Sequence, residues 1–347
     1  MAGGDEAAPV RLKVDRGIPS DLSRVPGVAS VLERQGYDGC WTGEIDHDPF
    51  FPLLLAAEHT SRLEIGTSIA VAFARNPMTV ANIGWDLQAY SRGRFNLGLG
   101  SQIQPHIERR FSMPWSHPVR RMREFIEATR AIWTCWRDGG RLSFEGDFYT
   151  HTLMTPMFTP APMPYGFPKV FVAAVGEAMT RLCGEVADGV IAHAFTTKRY
   201  ADEVTTPALL AGVTKAGRSR ADLEVSCPVF VVTGDTEESM AVSAVGVRKQ
   251  LAFYGSTPAY RGVLELHGWG DLHTELHRMS KQGRWDEMGG LLDDDVLAAF
   301  AVVAPVSELA AALRQRCDGA IDRVLPAFPA DLPEDVVAAV LDQVRNG

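Results

Sequence analysis

The sequence predicts an α/β fold, a (β/α)8 TIM barrel with insertions after the fourth and seventh strands. Three observations lead there. Short apolar, β-branched runs recur along the chain, eight in number: "RLKVDRGIP", "GCWTGE", "LEIGTSIAVAF", "RFNLGLG", "KVFVAAVG", "GVIAHAF", "LEVSCPVFVVTG" and "DRVLPAF". Hydrophobicity within them is continuous rather than alternating, the mark of strands buried on both faces in a parallel sheet covered by helices. Amphipathic stretches alternate with them, at about 25–35, 50–60, 77–90, 118–137, 177–187, 197–216, 236–254 and 305–317. Eight βα units close into a barrel, whereas an open doubly wound sheet usually has about five or six strands.

In a barrel the loops after the strands build the active face. The second run ends at Glu44 and is followed by Asp46, His47 and Asp48. The third carries two hydroxyls, Thr67 and Ser68, inside an apolar stretch, and soon meets Ala74, Arg75 and the helix-start pair Asn76-Pro77. The fourth ends in Gly98, Gly100, Ser101 and Gln102. Residues 101–168 then exceed the length of an ordinary βα connection: a helix, the strand-like "RLSFEGDFYTHTLM" and a Pro-rich exit. The fifth run ends at Val175 and Gly176, where a helix starts at once and leaves backbone N–H groups that suit a phosphate. Glu177 competes for the same field. The sixth ends at His193, and the seventh leads into a second long segment, 251–304. The expected organisation is a single domain, 1–347, with insertions at about 101–168 and 251–304.

Composition bounds the function. With 347 residues, 46% hydrophobic and 22% charged, the chain is of ordinary globular type. A net charge of −9 argues against nucleic-acid binding, which needs a broad positive field. The five cysteines are odd in number and lack CxxC spacing, so neither a disulfide framework nor a zinc cage is indicated, and a reducing cytoplasmic setting is expected. The start, "MAGGDEAAPVRLKV", lacks the basic and apolar regions of a leader, and no run approaches the roughly 18 apolar residues of a membrane span. His273 and His277 are four apart but enclose Thr-Glu-Leu rather than an HExxH order, and read as surface or loop residues; the acidic triplet at 293–295 reads as a solvated helix start. No metal site is expected. "GLGSQI" has Ile103 where GxGxxG needs its third glycine, which argues against a dinucleotide site.

Glu44 after a Trp-bearing strand, "LEIGTSIAVAFARNPMTVANIGWDLQAYSRGRFNLGLGSQ" (63–102) and "KVFVAAVGEAMTRLCGEVADG" (169–189) resemble the bacterial luciferase-like flavin monooxygenase superfamily, and within it the coenzyme F420-dependent oxidoreductases. The resemblance covers about 12–327. It implies a bulged third strand with a cis Ser68–Ile69 bond behind a deazaflavin ring, so that the hydroxyls of Thr67 and Ser68 face ligand or backbone. It also implies ring and ribityl contacts at Glu44, Gly98, Gly100, Ser101, Gln102 and His106, and phosphate contacts at Val175, Gly176, Glu177, Ala178 and Met179. The histidine that follows the strand-2 acid in some relatives is Ile45 here, and a glutamate of the sugar-phosphate dehydrogenase branch is Ile103. Neither of those activities carries over. The implied reaction is hydride transfer between F420 and a small organic substrate such as an enone, imine or alcohol. Asp46, His47 and Glu44 are the leading proton partners, with His106, His151 and His193 behind them. The alternatives are an FMN-dependent monooxygenase and a barrel that has lost redox chemistry. Relatives are often dimers, so a homodimer is expected. Trp115, Trp269, Trp285, Tyr254 and Phe253 line a pocket or pack the insertions.

Overall fold

The computed structural model describes residues 11–346. The N-terminal segment read above for a leader, residues 1–10, and Gly347 lie outside the described residues. The fold is a TIM barrel, a closed eight-stranded parallel barrel with flanking helices. Its strands are β1 (Lys13–Gly17), β2 (Gly39–Thr42), β3 (Glu64–Thr67, continued at Ala70–Val71), β4 (Phe95–Gly100), β5 (Lys169–Ala174), β6 (Gly189–Ala192), β7 (Glu224–Val232) and β8 (Arg323–Ala327). Each falls within one of the eight apolar runs. The described residues pack as two compact units: Arg16–His193 with Glu203–Glu224, here the N-terminal unit, and residues 11–15 with Ala194–Asp202 and residues 225–346, the C-terminal unit.

In the N-terminal unit β2 pairs with β3, β3 with β4, β4 with β5 and β5 with β6, all parallel. The loops after β2 to β5 therefore leave the sheet at one end. The helix Pro77–Tyr90 starts where the sequence places it: Asn76 accepts the Thr79 N–H at 3.0 Å and Pro77 occupies the first turn. The first insertion has far less strand than its sequence suggests. Only Phe144–Glu145 and Thr150–His151 pair, as an antiparallel hairpin. Its turn is held by the Glu124 carboxylate, which accepts the N–H groups of Asp147, Phe148 and Tyr149 at 2.9, 2.6 and 2.5 Å. The Pro-rich exit is tied to the helix Pro77–Tyr90, with the Trp85 indole N–H donating to the Ala161 carbonyl and the Gln88 amide to that of Gly166.

In the C-terminal unit β1 pairs with β8 and β8 with β7. A further short strand, Ala301–Val303, pairs with the end of β7 inside what the sequence presents as an insertion. The remainder of the second long segment is helical, and its apolar side chains close over Phe195, Phe230, Leu251, Leu264, Leu276 and Phe300. Trp269 and Tyr254 pack against this cluster, whereas Phe253 and Trp285 meet each other at 5.9 Å and stay half exposed. At the base of the unit Arg323 and Asp15 form a two-bond ion pair, 2.7 and 2.9 Å, with both side chains fully buried. The predicted helix at 197–216 is broken: Lys198–Tyr200 runs into a π-helical turn at Ala201–Thr205 before Thr206–Lys215. Pro207 lacks an N–H to donate back into that turn. Among the described residues no helix is long and apolar enough to cross a membrane.

Candidate functional site

The third strand kinks between its two segments. The Ser68–Ile69 peptide bond is cis, and the flanking backbone is held from β2: the Ser68 N–H donates to the Thr42 carbonyl at 2.6 Å and the Glu44 N–H to that of Ile69 at 3.1 Å. Thr67 is fully buried, and its hydroxyl donates to the Gly98 carbonyl (2.6 Å) while accepting the Gly98 N–H (2.9 Å). Of the two roles open to this hydroxyl, backbone partner is the one it takes. Ser68 and Ile69 are half-buried. The kink also explains two glycines. A Cβ at Gly98 would stand 1.7 Å from the Thr67 carbonyl oxygen, and one at Gly100 2.7 Å from the Ile69 side chain.

The loop after β2 is staked at several points. One Glu44 carboxylate oxygen accepts both the Val71 N–H (2.7 Å) and the Arg75 guanidinium; Arg75 also donates to Asp48 at 3.0 Å. The other Asp48 oxygen accepts the Phe50 N–H at 2.9 Å at the start of the helix Phe50–Glu58. Arg110, past the helix Gln104–Arg109, donates to the Ile45 carbonyl. Between these anchors Asp46 and His47 remain exposed, with carboxylate and imidazole 3.6 Å apart. Arg75 and Arg110 are the residues that sequence reasoning missed in these roles. Arg75 had a signal: a lone cation in an apolar run, facing a segment rich in acids.

Past β4, Ser101 and Gln102 are half-buried and His106 is exposed. Gln102 has a positive φ of 58°, and its side-chain oxygen accepts the Ile103 N–H at 3.0 Å. Past β5, Gly176 opens the helix Glu177–Val186 with no side-chain cap, and a Cβ on it would meet nothing within 4 Å. Val175, Gly176, Glu177 and Ala178 are exposed and Met179 is half-buried. His193, directly after β6, has its pKa pulled down to about 4 by burial, so it is neutral at neutral pH. Burial also lowers the pKa of His151, whose Nε2 is enclosed without a hydrogen-bond partner. Three aliphatic side chains stand out among these polar groups: Ile45, Ile103 and Val175, 75%, 56% and 41% exposed.

The other sequence candidates are structural. His273 and His277 sit on the helix Gly270–Lys281, not in a loop, and His273 is buried. Their Nδ1 atoms lie 2.7 and 2.9 Å from the Gly255 and Ser256 carbonyls, so both imidazoles tie that helix to the end of the helix Glu237–Gly255. Among the described residues no group of three potential metal ligands gathers. Asp293 caps the helix Asp294–Phe300 by accepting the Val296 N–H at 2.9 Å. An open depression of about 690 Å³ in the C-terminal unit, beside Ala310, Arg314, Asp342 and Asn346, gathers none of the predicted site residues.

Comparison with known proteins shows the family. The sequence model of the luciferase-like monooxygenases matches residues 7–323. The chain belongs to the luciferase-like monooxygenase family. An uncharacterized protein of Mycobacterium tuberculosis is 64% identical over 332 residues, covering 96% of this chain and 98% of that one. The 5,10-methylenetetrahydromethanopterin reductase of Methanolobus tindarius is 26% identical over 320 residues, 90% and 92% of the two chains. Among solved structures, the coenzyme F420-dependent tetrahydromethanopterin reductase of Methanopyrus kandleri superposes with a TM-score of 0.78 at 19% identity, covering 97% and 99%. This family member therefore shares its barrel with an F420 enzyme, and its family comprises oxidoreductases and monooxygenases.

Proposed function

We propose that this protein is a coenzyme F420-dependent oxidoreductase that moves a hydride between the deazaflavin and a small organic substrate. The observation that carries the proposal is the staked β2 loop. It presents one exposed acid–imidazole pair, Asp46 and His47, beside a kinked third strand and in the same unit as an uncapped helix start. These residues fit a flat ring with a phosphate tail: Ser101 and Gln102 supply polar contacts past β4, and the helix Glu177–Val186 starts without a side-chain cap, leaving the backbone N–H groups of its first turn to a phosphate. When bound, the deazaflavin supplies a hydride carrier with carbon in place of the flavin N5.

The chain's own residues then have separable tasks. Glu44 is engaged by Arg75 and Val71, which makes it a strut for the loop rather than the proton partner. Asp46 and His47 hold or pass the proton, imidazole being the side chain whose charge changes nearest neutral pH. His193 is neutral and orients rather than ionises.

Titrating the purified protein separately with F420 and with FMN, followed by deazaflavin and flavin fluorescence, tests this. F420 is expected to bind in the micromolar range; binding of FMN without F420 overturns the proposal. That outcome supports the second reading, a flavin monooxygenase, which the family's description favours. Binding of neither points to a barrel that has kept the fold without redox chemistry.

A further inference from the structure

We propose that the substrate is an uncharged, mainly apolar molecule with one carbonyl, imine or hydroxyl group, and that Ile45, Ile103 and Val175 select it. The inference rests on the oxidoreductase proposal for the location of the site, and goes beyond it in naming the substrate class.

Single exposed aliphatic residues are normal on protein surfaces. These three are not scattered. Ile45 lies three residues past β2, Ile103 three past β4 and Val175 one past β5. Those strands belong to one parallel run of neighbours, β2 to β5, so the three side chains emerge at the same end of the sheet. Ile45 and Ile103 are also linked directly. Arg110 donates to the Ile45 carbonyl, and the helix Gln104–Arg109 that leads to Arg110 begins at Ile103. One short helix of this kind is about 10 Å long, a reach that one small molecule spans.

The charges nearby argue the same way. Two guanidinium groups reach the β2 loop: Arg75, paired with Glu44 and Asp48, and Arg110, held by the Ile45 carbonyl. Against them stand three carboxylates of the same loop, Glu44, Asp46 and Asp48. The loop therefore carries more acid than base and disfavours an anionic substrate, whereas an alkyl or ring surface meets Ile45 and Ile103. Of the exposed polar residues beside Ile45 on its loop, Asp48 is held by Arg75 and the Phe50 N–H, and the Asp46–His47 pair suits a single polar function on an otherwise apolar molecule.

The test uses the full-length protein labelled with 13C at the isoleucine δ1 methyls, with Ile45 and Ile103 assigned through Ile→Val variants. It is titrated with 2-butanone, 2-hexanone, 2-octanone, hexanoate and glucose 6-phosphate. Both methyl signals are expected to shift with the ketones, and affinity to rise about 2- to 4-fold per added methylene. Hexanoate and the sugar phosphate are expected to leave them unmoved at the same concentrations. In Ile45→Asn and Ile103→Asn the chain-length dependence flattens while F420 affinity stays within about 2-fold of the parent. Affinity independent of chain length, or tighter binding of either anion, overturns the proposal. Because this readout needs no cofactor, its failure is distinct from a failure to bind F420, which bears on the oxidoreductase proposal alone.

Discussion

Past β2 to β5 of the N-terminal unit the chain places Glu44, Asp46, His47, Asp48, Gln102 and Glu177, with the loop after β2 tied down by hydrogen bonds from arginines and backbone. Past β7 of the C-terminal unit it places Thr233, buried with an unpartnered hydroxyl, and then helices whose aromatic residues pack around Phe195, Phe230 and Phe300. Both regions follow barrel strands, and both carry long departures from a minimal βα unit. In one, the residues just past β2 are pinned and polar groups stay outside. In the other, the excursion is long and its apolar residues fold inward. A long insertion can thus serve packing alone, as the second one does around Phe195, Phe230 and Phe300.

Substitutions in the two regions can break this contrast. The largest effect is expected in the C-terminal unit. Replacing Arg323 by Met removes both charged hydrogen bonds from the fully buried Asp15 carboxylate and should lower stability by about 3–5 kcal/mol in urea denaturation. A loss below about 1 kcal/mol would show that the pair contributes little to that unit.

The next effect is a pH dependence in the N-terminal unit. His193 titrates near 4 in the folded protein against an ordinary 6.5. Between those values the unfolded chain binds a proton that the folded chain refuses. Stability from this group is full above about pH 6.5 and falls as pH drops toward 4, on the order of 3 kcal/mol across the window. Urea midpoints at pH 5 and 7.5 should differ less in His193→Gln than in the parent; an unchanged difference would assign the slope elsewhere.

Gly98→Ala pushes a Cβ into the Thr67 carbonyl and is expected to cost about 1–3 kcal/mol or more, since backbone cannot yield as a side-chain tip does. Gly176→Ala, which meets open space, should leave stability within about 0.5 kcal/mol. Equal effects at the two glycines would remove the kink as the explanation for Gly98. A modest loss is expected from Asp293→Ala, which deletes one helix cap in the C-terminal unit for about 1 kcal/mol, with F420 binding unaffected.

Much of the barrel was legible because parallel strands buried on both faces leave continuous apolar runs that local sequence cannot hide. What escaped had weak local signals. The strand Ala301–Val303 is three residues long and abuts a helix that ends at Phe300, so its run merges with the helix pattern. The hairpin at 144–151 looks strand-rich because aromatic and β-branched residues fill it, yet Glu124 on a distant helix decides its shape. The helix Glu334–Asn346 follows the last apolar run and has no place in an eight-unit count. At the site, the residue types at the strand ends were legible from position alone. Which of them hold the loop was not, because the Glu44–Arg75 and Arg110–Ile45 contacts join residues 31 and 65 positions apart.

The Thr67 hydroxyl fills both roles that a neighbouring peptide would otherwise play toward Gly98, giving a proton to its oxygen and taking one from its nitrogen. A side chain thus stands in for the missing rung where the third strand bends aside. The fourth strand runs on unbroken from Phe95 to Gly100, paired with its neighbour both before the bend and after it.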